Sequence, residues 1–232
     1  MTSDPAPFRR VRACAFDAYG TLFDVHSAIR EVAAAVPDAQ QLSELWRAKQ
    51  LQYTWLRSLM GKYADFERVT REALEFALRT HGVRDRELQA ALLERYLHLD
   101  AYEDAWDAIV RLRKADLTVI ILSNGTPAMI EAACESSGLG EVLQGFVSVD
   151  DARVYKPHPD AYSLACQGLG LEPEEICLIS ANGWDVAGGG AFGFRTVWVN
   201  RSPGPPEQLG TMPDAEVRSL ADAATAILDS LG

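Results

Sequence analysis

The chain has 232 residues, of which 48% are hydrophobic, and its formal net charge is -11. This length and this apolar content are sufficient for one substantial folded core, which excludes an intrinsically disordered protein. The negative charge would repel nucleic acids and anionic membrane surfaces at long range, so neither is expected as a partner. An anionic small substrate would need a local cation in its binding site.

The sequence also favours a cytoplasmic location. No apolar run approaches the roughly 20 residues of a membrane-spanning helix. Residues 1–5 lack the basic-then-apolar order of a signal peptide. The four cysteines have no paired spacing that would indicate a zinc site, and their apolar surroundings predict buried thiols without a chemical role.

Five segments rich in aliphatic and β-branched residues are predicted to be buried strands, at residues 11–18, 117–123, 146–149, 176–180 and 196–199. Helical patterns fill gaps between the later strands. The helix predicted at 126–137 ends at Gly138, and the helix predicted at 159–169 has a proline in its first turn. Strands that alternate with helices predict an α/β fold with a parallel sheet.

A long segment with almost no strand signal separates the first two predicted strands. It contains helical patterns near residues 27–36, 41–59, 66–81 and 86–99. Because about a hundred residues are too many for a simple crossover, we predict an inserted helical cap over the carboxyl edge of the sheet. Residues 25–100 would form this cap, and residues 1–24 and 101–232 would form the α/β core domain.

Asp17 directly follows the first predicted strand, and the turn after it reads Ala18-Tyr19-Gly20-Thr21. A carboxylate at the end of a buried strand and before a tight turn is presented to a cleft as a nucleophile would be. An aspartate in this place can also simply cap a turn, and the threonine can be a turn-forming hydroxyl.

Within the predicted cap, Arg47 lies on a helical pattern, where arginines usually face water. It shares a helix face with Leu51 and Thr54. This is an unusual neighbourhood for a purely solvated charge.

Together with three later segments, the turn around Asp17 resembles the four ordered motifs of the haloacid dehalogenase superfamily. The later segments are Leu122-Ser123-Asn124-Gly125, Val154-Tyr155-Lys156-Pro157 and Ile179-Ser180-Ala181-Asn182-Gly183-Trp184-Asp185. With the cap helix around Arg47, the chain is similar to the L-2-haloacid dehalogenases of that superfamily. Members of that family often have serine at the position of Ala181, which is a departure.

The resemblance implies chemistry at carbon rather than at phosphorus. Phosphatases of the superfamily have a second aspartate at the position of Tyr19 and an acidic residue at that of Asn182, and they bind magnesium there. Since both residues are neutral in this chain, we expect no metal and no cofactor. A halide ion needs neither a proton nor a metal in order to leave.

The resemblance also implies residue roles. Asp17 would form an ester with the substrate, Arg47 and Asn124 would bind the departing halide, and water would then hydrolyse the ester. The residues expected to act in catalysis are Asp17, Thr21, Arg47, Ser123, Asn124, Lys156, Tyr162, Ser180, Asn182 and Asp185. The residues expected to contact the substrate are Ala18, Tyr19, Arg47, Leu51, Phe66, Ser123, Asn124, Lys156 and Trp184.

Several of these residues also have a purely structural interpretation. A lone lysine such as Lys156 is usually solvated, and Tyr162 could belong to ordinary helix packing. The apolar residues predicted to line the substrate pocket could be plain core, namely Tyr19, Leu51, Phe66 and Trp184.

The expected activity is hydrolysis of short L-2-haloalkanoic acids to D-2-hydroxy acids with inversion and release of halide ion. A small-molecule phosphatase on the same fold is the nearest alternative, but it must explain Tyr19 and Asn182. A binding protein without catalysis would have lost residues such as Asp17 and Lys156. By resemblance, the cap helices are expected to pair two subunits in a homodimer.

Overall fold

The computed structural model describes residues 6–30, 36 and 38–231. A six-stranded sheet forms its centre, and every neighbouring pair of strands is parallel. The strands are β1 (Ala13–Phe16), β2 (Thr118–Ser123), β3 (Phe146–Ser148), β4 (Ile176–Ser180), β5 (Arg195–Val199) and β6 (Ala215–Val217). Their order across the sheet is β3-β2-β1-β4-β5-β6. The predicted α/β class with a parallel sheet is therefore confirmed.

The central strands are covered on both faces. All residues of β1 and β4 are buried, which is the usual condition of a parallel sheet packed between helices. Phe16, the last residue of β1, pairs with Ile121 of β2 and with Ile179 of β4. This register places the segments that follow β1, β2 and β4 side by side at one edge of the sheet.

Among the described residues, four of the five α-helices between β1 and β2 lie where the sequence predicts a helical insertion. They are α1 (Ser27–Arg30), α2 (Ala39–Leu59), α3 (Phe66–Thr80) and α4 (Arg86–Leu97). α3 begins after Asp65, whose side chain accepts a hydrogen bond from the Arg68 backbone N–H at 2.7 Å. It buries Phe66, Val69, Thr70, Ala73, Leu74, Ala77 and Leu78, the spacing of one helix face.

The insertion is present, while the proposed domain limits at residues 25 and 100 stay a prediction. The helix predicted at 27–36 is helical over Ser27–Arg30, and most of its remainder lies outside the described residues. None of the helices in the described part of the chain combines the length and the apolar character needed to cross a bilayer.

Five further helices complete the core. They are α5 (Ala105–Lys114), α6 (Pro127–Ser137), α7 (Pro159–Leu169), α8 (Gly183–Phe192) and α9 (Leu220–Leu231). The sequence predicted α6 and α7, and α6 ends at Gly138 with φ of 75°, a left-handed conformation that glycine adopts without strain. No specific prediction from the sequence covers α5, α8, α9 or β6. The first strand is shorter than predicted at both ends, and the chain turns directly after Asp17.

Candidate active site

The predicted site residues meet at the carboxyl edge of the sheet. Asp17 follows β1, while Ser123 and Ser180 are the last residues of β2 and β4. The backbone N–H of Asp17 donates to the Ile179 carbonyl at 3.0 Å, so the nucleophile candidate is still fixed to the sheet. Only 5% of Asp17 is exposed. A rigid strand end therefore holds this carboxylate in a largely dry place.

Three donors surround the Asp17 carboxylate. Its Oδ2 accepts from the Thr21 hydroxyl at 2.9 Å and from the Asn182 side-chain amide at 2.7 Å. Its Oδ1 accepts from the Lys156 ammonium at 3.0 Å. The Thr21 oxygen also accepts from the Ala181 backbone N–H at 2.8 Å, which directs the Thr21 proton toward Asp17. Oδ2 is thus more fully occupied than Oδ1.

Lys156 is fully buried between two carboxylates. Its ammonium donates to Asp17 at 3.0 Å and to Asp185 at 2.8 Å. Burial by itself lowers the pKa of Lys156, but the charges of Asp17 and Asp185 outweigh burial and raise this pKa above its ordinary value. The amine therefore carries its charge at neutral pH, and the interpretation of Lys156 as a solvated surface lysine is wrong.

Asp185 is held on its other side by Tyr162. The Tyr162 hydroxyl donates to Asp185 Oδ1 at 2.8 Å, while Asp185 Oδ2 accepts from Lys156. Burial raises the pKa of Asp185, against the opposing effect of the Lys156 charge. Tyr162 thereby has a polar partner in the site in addition to its packing within the core.

The side chains after β2 and β4 mainly order their own turns. The Ser123 hydroxyl accepts from the Gly125 backbone N–H at 3.0 Å, and the Ser180 hydroxyl accepts from the Asn182 backbone N–H at 3.1 Å. In the part of the chain that the structure describes, no hydrogen bond joins Ser123 to Asp17. Asn124 accepts from the Lys156 backbone N–H at 3.0 Å, which leaves its NH₂ group as the end able to donate to a ligand.

Arg47 on α2 reaches across to the core. One guanidinium nitrogen donates to the Tyr19 carbonyl at 2.9 Å and approaches Asn182 Oδ1 at 3.5 Å, and the other donates to Gln50 at 2.8 Å. The side chain is only partly exposed. The structure thus brings Arg47 within hydrogen-bonding distance of Asn182, which itself bonds the Asp17 carboxylate.

Aromatic rings close the site around Tyr19. Its ring centroid lies 5.3 Å from that of Phe66 and 5.6 Å from that of Tyr96. A Cβ on Gly125 would lie only 2.8 Å from the Tyr19 ring, so that position needs glycine for the close approach. Burial raises the pKa of Tyr19 well above its ordinary value, and its phenol stays neutral.

A largely apolar cleft of about 830 Å³ lies between the carboxyl-terminal half of α2 and the core. It is lined by Trp55, Ser58, Leu59, Tyr155, Pro157, His158, Pro159, Trp184, Glu207 and Leu209. Two of these residues flank Lys156 in the chain, and Trp184 directly precedes Asp185. Trp184 packs edge-on against Trp55, with 5.4 Å between the ring centroids. The predicted pocket residue Leu51 is half-buried on α2, four residues from Arg47.

The backbone of the turn after Asp17 offers two further donors. Among the hydrogen bonds of the described residues, none uses the N–H of Ala18 or Tyr19. Both groups belong to the segment that also presents Asp17. They are suitably placed in the sequence to donate to an oxygen that becomes negatively charged on the Asp17 side chain.

Sequence reasoning missed two residues that contact the site. Gln50 accepts a hydrogen bond from Arg47, and Tyr96 donates to Gln50 at 3.1 Å. The spacing of three residues between Arg47 and Gln50 on one helix was a usable signal. Tyr96 lies on α4, far along the chain, and no local pattern indicated that it would meet α2.

Comparisons with known proteins show which proteins this chain is similar to. The model of the haloacid dehalogenase-like hydrolase family matches residues 11–193. (S)-2-Haloacid dehalogenase 4A of Burkholderia cepacia is 48% identical over 91% of this chain and 93% of its own length. (S)-2-Haloacid dehalogenase 1 of Pseudomonas sp. (strain CBS-3) is 44% identical over 94% and 97%. The structure of L-2-haloacid dehalogenase from Xanthobacter autotrophicus with chloropropionic acid covalently bound has 38% identity and a TM-score of 0.87, and covers 94% of this chain and 98% of that one.

Proposed function

Because the chain belongs to the (S)-2-haloacid dehalogenases within the haloacid dehalogenase-like hydrolases, we propose that it converts short L-2-haloalkanoic acids to D-2-hydroxy acids with inversion at C2. The proposed route passes through an ester on Asp17. The observation that carries this proposal is the buried Asp17 carboxylate, which is held by the three donors Thr21, Asn182 and Lys156. The covalently bound chloropropionic acid in the Xanthobacter autotrophicus enzyme supports it.

In the first step, Asp17 attacks C2 of the substrate from the side opposite the halogen. A C–O bond forms, the carbon–halogen bond breaks, and the halide leaves with the bonding electrons. Oδ1 is the better candidate for the attacking atom, because Oδ2 already accepts two hydrogen bonds. Fixed donors in place of a water shell increase the reactivity of the carboxylate and hold it in line with C2. Lys156 attracts the substrate carboxylate.

The departing halide is bound by Arg47 and by the side-chain amide of Asn124. A guanidinium group stabilises the developing negative charge, and no proton is required. The neutral ring of Tyr19, together with Leu51, Phe66 and Trp184, provides an apolar wall around C2 and its alkyl substituent. This wall excludes water while the first bond forms.

In the second step, water attacks the carboxyl carbon of the Asp17 ester. Ser180, Asn182 and the Lys156–Asp185 pair orient the water, and Asp185 accepts its proton. The N–H groups of Ala18 and Tyr19 stabilise the oxyanion. Collapse of this intermediate breaks the bond between the Asp17 carboxyl carbon and the oxygen that is attached to C2. Asp185 returns its proton to this departing oxygen, which releases the hydroxy acid, and loss of the remaining water proton to solvent restores the Asp17 carboxylate.

An isotope experiment tests the ester route. In a single turnover with excess enzyme in heavy-oxygen water, the oxygen at C2 of the lactate should be light, because it comes from Asp17. The label should appear in the Asp17 carboxylate. If an activated water attacked C2 directly, heavy oxygen would appear at C2 instead and the ester mechanism would be wrong. Asp17→Asn should be inactive in the same assay.

We further propose that the enzyme works without metal or cofactor, in the cytoplasm and as a homodimer. The four unpaired cysteines support a reducing compartment. The exposed apolar side chains of Leu56 on α2, Met60 directly after α2 and Phe76 on α3 support pairing through the cap. Sedimentation at twice the chain mass of 25.4 kDa would agree with the dimer, whereas a monomer at all concentrations would contradict it.

A further inference from the structure

The partner of Arg47 belongs to a buried chain of hydrogen bonds inside the helical insertion. Gln50 is 1% exposed and Thr70 is 2% exposed. The Gln50 side-chain oxygen accepts from Arg47 at 2.8 Å and from the Tyr96 hydroxyl at 3.1 Å. The Gln50 NH₂ group donates to the Thr70 hydroxyl oxygen at 2.7 Å. This chain links α2, α3 and α4 behind the guanidinium group.

The Thr70 hydroxyl determines which groups donate and which accept in this chain of hydrogen bonds. The Thr70 hydroxyl donates its only proton to the Phe66 carbonyl at 2.6 Å. Its oxygen can therefore only accept from Gln50, which must point its NH₂ group toward Thr70. The amide oxygen then faces Arg47, and the opposite rotamer would place two donors against each other. Thr70 thus determines which end of Gln50 meets the guanidinium group.

We propose that Gln50 and Thr70 are positioning residues for halide release: they hold the Arg47 guanidinium at the angle at which it receives the leaving halide. This inference rests on the proposed function, in which Arg47 binds the halide. A neutral amide suits this role better than a carboxylate, because Gln50 fixes one guanidinium nitrogen without neutralising the charge that attracts the anion. Both residues are almost completely buried, so they would act through Arg47.

Two substitutions at Thr70 separate positioning from stability. Thr70→Val removes the acceptor for Gln50 and keeps the side-chain shape, whereas Thr70→Ser keeps the hydroxyl. We expect Thr70→Val to raise the inhibition constant of product bromide about fivefold and to lower kcat by a similar factor. Thr70→Ser should restore both values to within about twofold of wild type.

Thr54→Val provides the matched control. Thr54 is fully buried on α2, and its hydroxyl donates to the Leu51 carbonyl at 2.7 Å, which is the same kind of bond as that of Thr70. It should lower the melting temperature about as much as Thr70→Val does, and leave bromide inhibition unchanged. Equal effects of Thr54→Val and Thr70→Val on bromide inhibition would show a general loss of packing and overturn the proposal.

Gln50→Glu tests the charge argument. It keeps an oxygen for Arg47, removes the donor to Thr70 and adds a negative charge, so bromide inhibition should weaken by more than about tenfold. Arg47→Ala distinguishes a failure of the positioning role of Gln50 and Thr70 from a failure of the halide-binding role of Arg47. If Arg47→Ala weakens bromide inhibition while Gln50→Glu and Thr70→Val do not, the positioning role alone is wrong. If Arg47→Ala binds bromide normally, the halide role of Arg47 fails as well.

Discussion

Lys156 is the cation that pairs with both carboxylates at the sheet edge. It is fully buried, and its ammonium is shared between Asp17 and Asp185. Without the ammonium, the Asp17 and Asp185 carboxylates would repel each other in a protein interior that screens charge poorly. The same ammonium therefore compensates both buried carboxylates.

This arrangement predicts how stability depends on alkaline pH. The folded-state pKa of Lys156 lies above its ordinary value of 10.5, so its contribution is complete below pH 10.5 and is lost as the pH rises through the folded-state pKa. Lys156→Met should cost about 3–5 kcal/mol of unfolding free energy at neutral pH. Urea titrations of both proteins should give a constant difference up to about pH 10.5 and a smaller difference above it.

The same titrations would also detect the opposite case, in which burial outweighs the charges of the two carboxylates and lowers the folded-state pKa of Lys156. If burial instead lowered the folded-state pKa of Lys156 below 10.5, wild type would gain stability relative to Lys156→Met as the pH rises from that pKa to 10.5, so the difference would grow instead of staying constant. Lys62→Met serves as the control, because Lys62 is exposed and its removal should change the unfolding free energy by less than about 0.5 kcal/mol.

At the scale of elements, the sequence predicted those parts that local chemistry determines. Asp17 and Ser123 follow apolar runs that can only be buried strands, so their convergence at one sheet edge could be predicted. α8 escaped prediction because its glycines, Gly188 to Gly190, are poor helix formers. The contact of Tyr96 with Gln50 depends on how α4 packs near α2, which no local pattern encodes.

The glycines of α8 have a packing reason that predicts the effect of enlarging one of them. A Cβ on Gly188 would lie 2.5 Å from the Tyr162 hydroxyl and 2.5 Å from Pro157. Gly188→Ala should therefore displace Tyr162 from Asp185, lower the melting temperature, and reduce kcat about tenfold or more. Differential scanning fluorimetry and a halide-release assay measure both effects.

Gly168→Ala on α7 is the matched control for that substitution. Its Cβ would meet only Val147, at the ordinary contact distance of 3.8 Å. Since alanine favours a helix over glycine by up to about 1 kcal/mol, this variant should be as stable as wild type or more stable, with unchanged activity. Full activity of Gly188→Ala would contradict the prediction that activity depends on the hydrogen bond between Tyr162 and Asp185.

At the scale of the whole molecule, the site is assembled from two parts of the chain. The sheet edge supplies Asp17, Lys156 and Asp185, and the helical insertion supplies Arg47 from α2. Within the described residues, no three histidine, cysteine or acidic side chains are grouped so that they could hold a metal ion. Both carboxylates at the sheet edge are instead paired with Lys156.

This donor set predicts that halide release from L-2-chloropropionate survives EDTA. A hard divalent ion prefers about six oxygen ligands, and it would have to displace the Lys156 ammonium from both carboxylates. Added magnesium should leave the rate within about twofold, since it gains no additional carboxylate at Tyr19 or Asn182. Hydrolysis of p-nitrophenyl phosphate should be much slower than dehalogenation with or without magnesium. A strict magnesium requirement, or faster hydrolysis of the phosphate ester, would instead favour a phosphatase on this fold, and Tyr19 and Asn182 would then need another explanation.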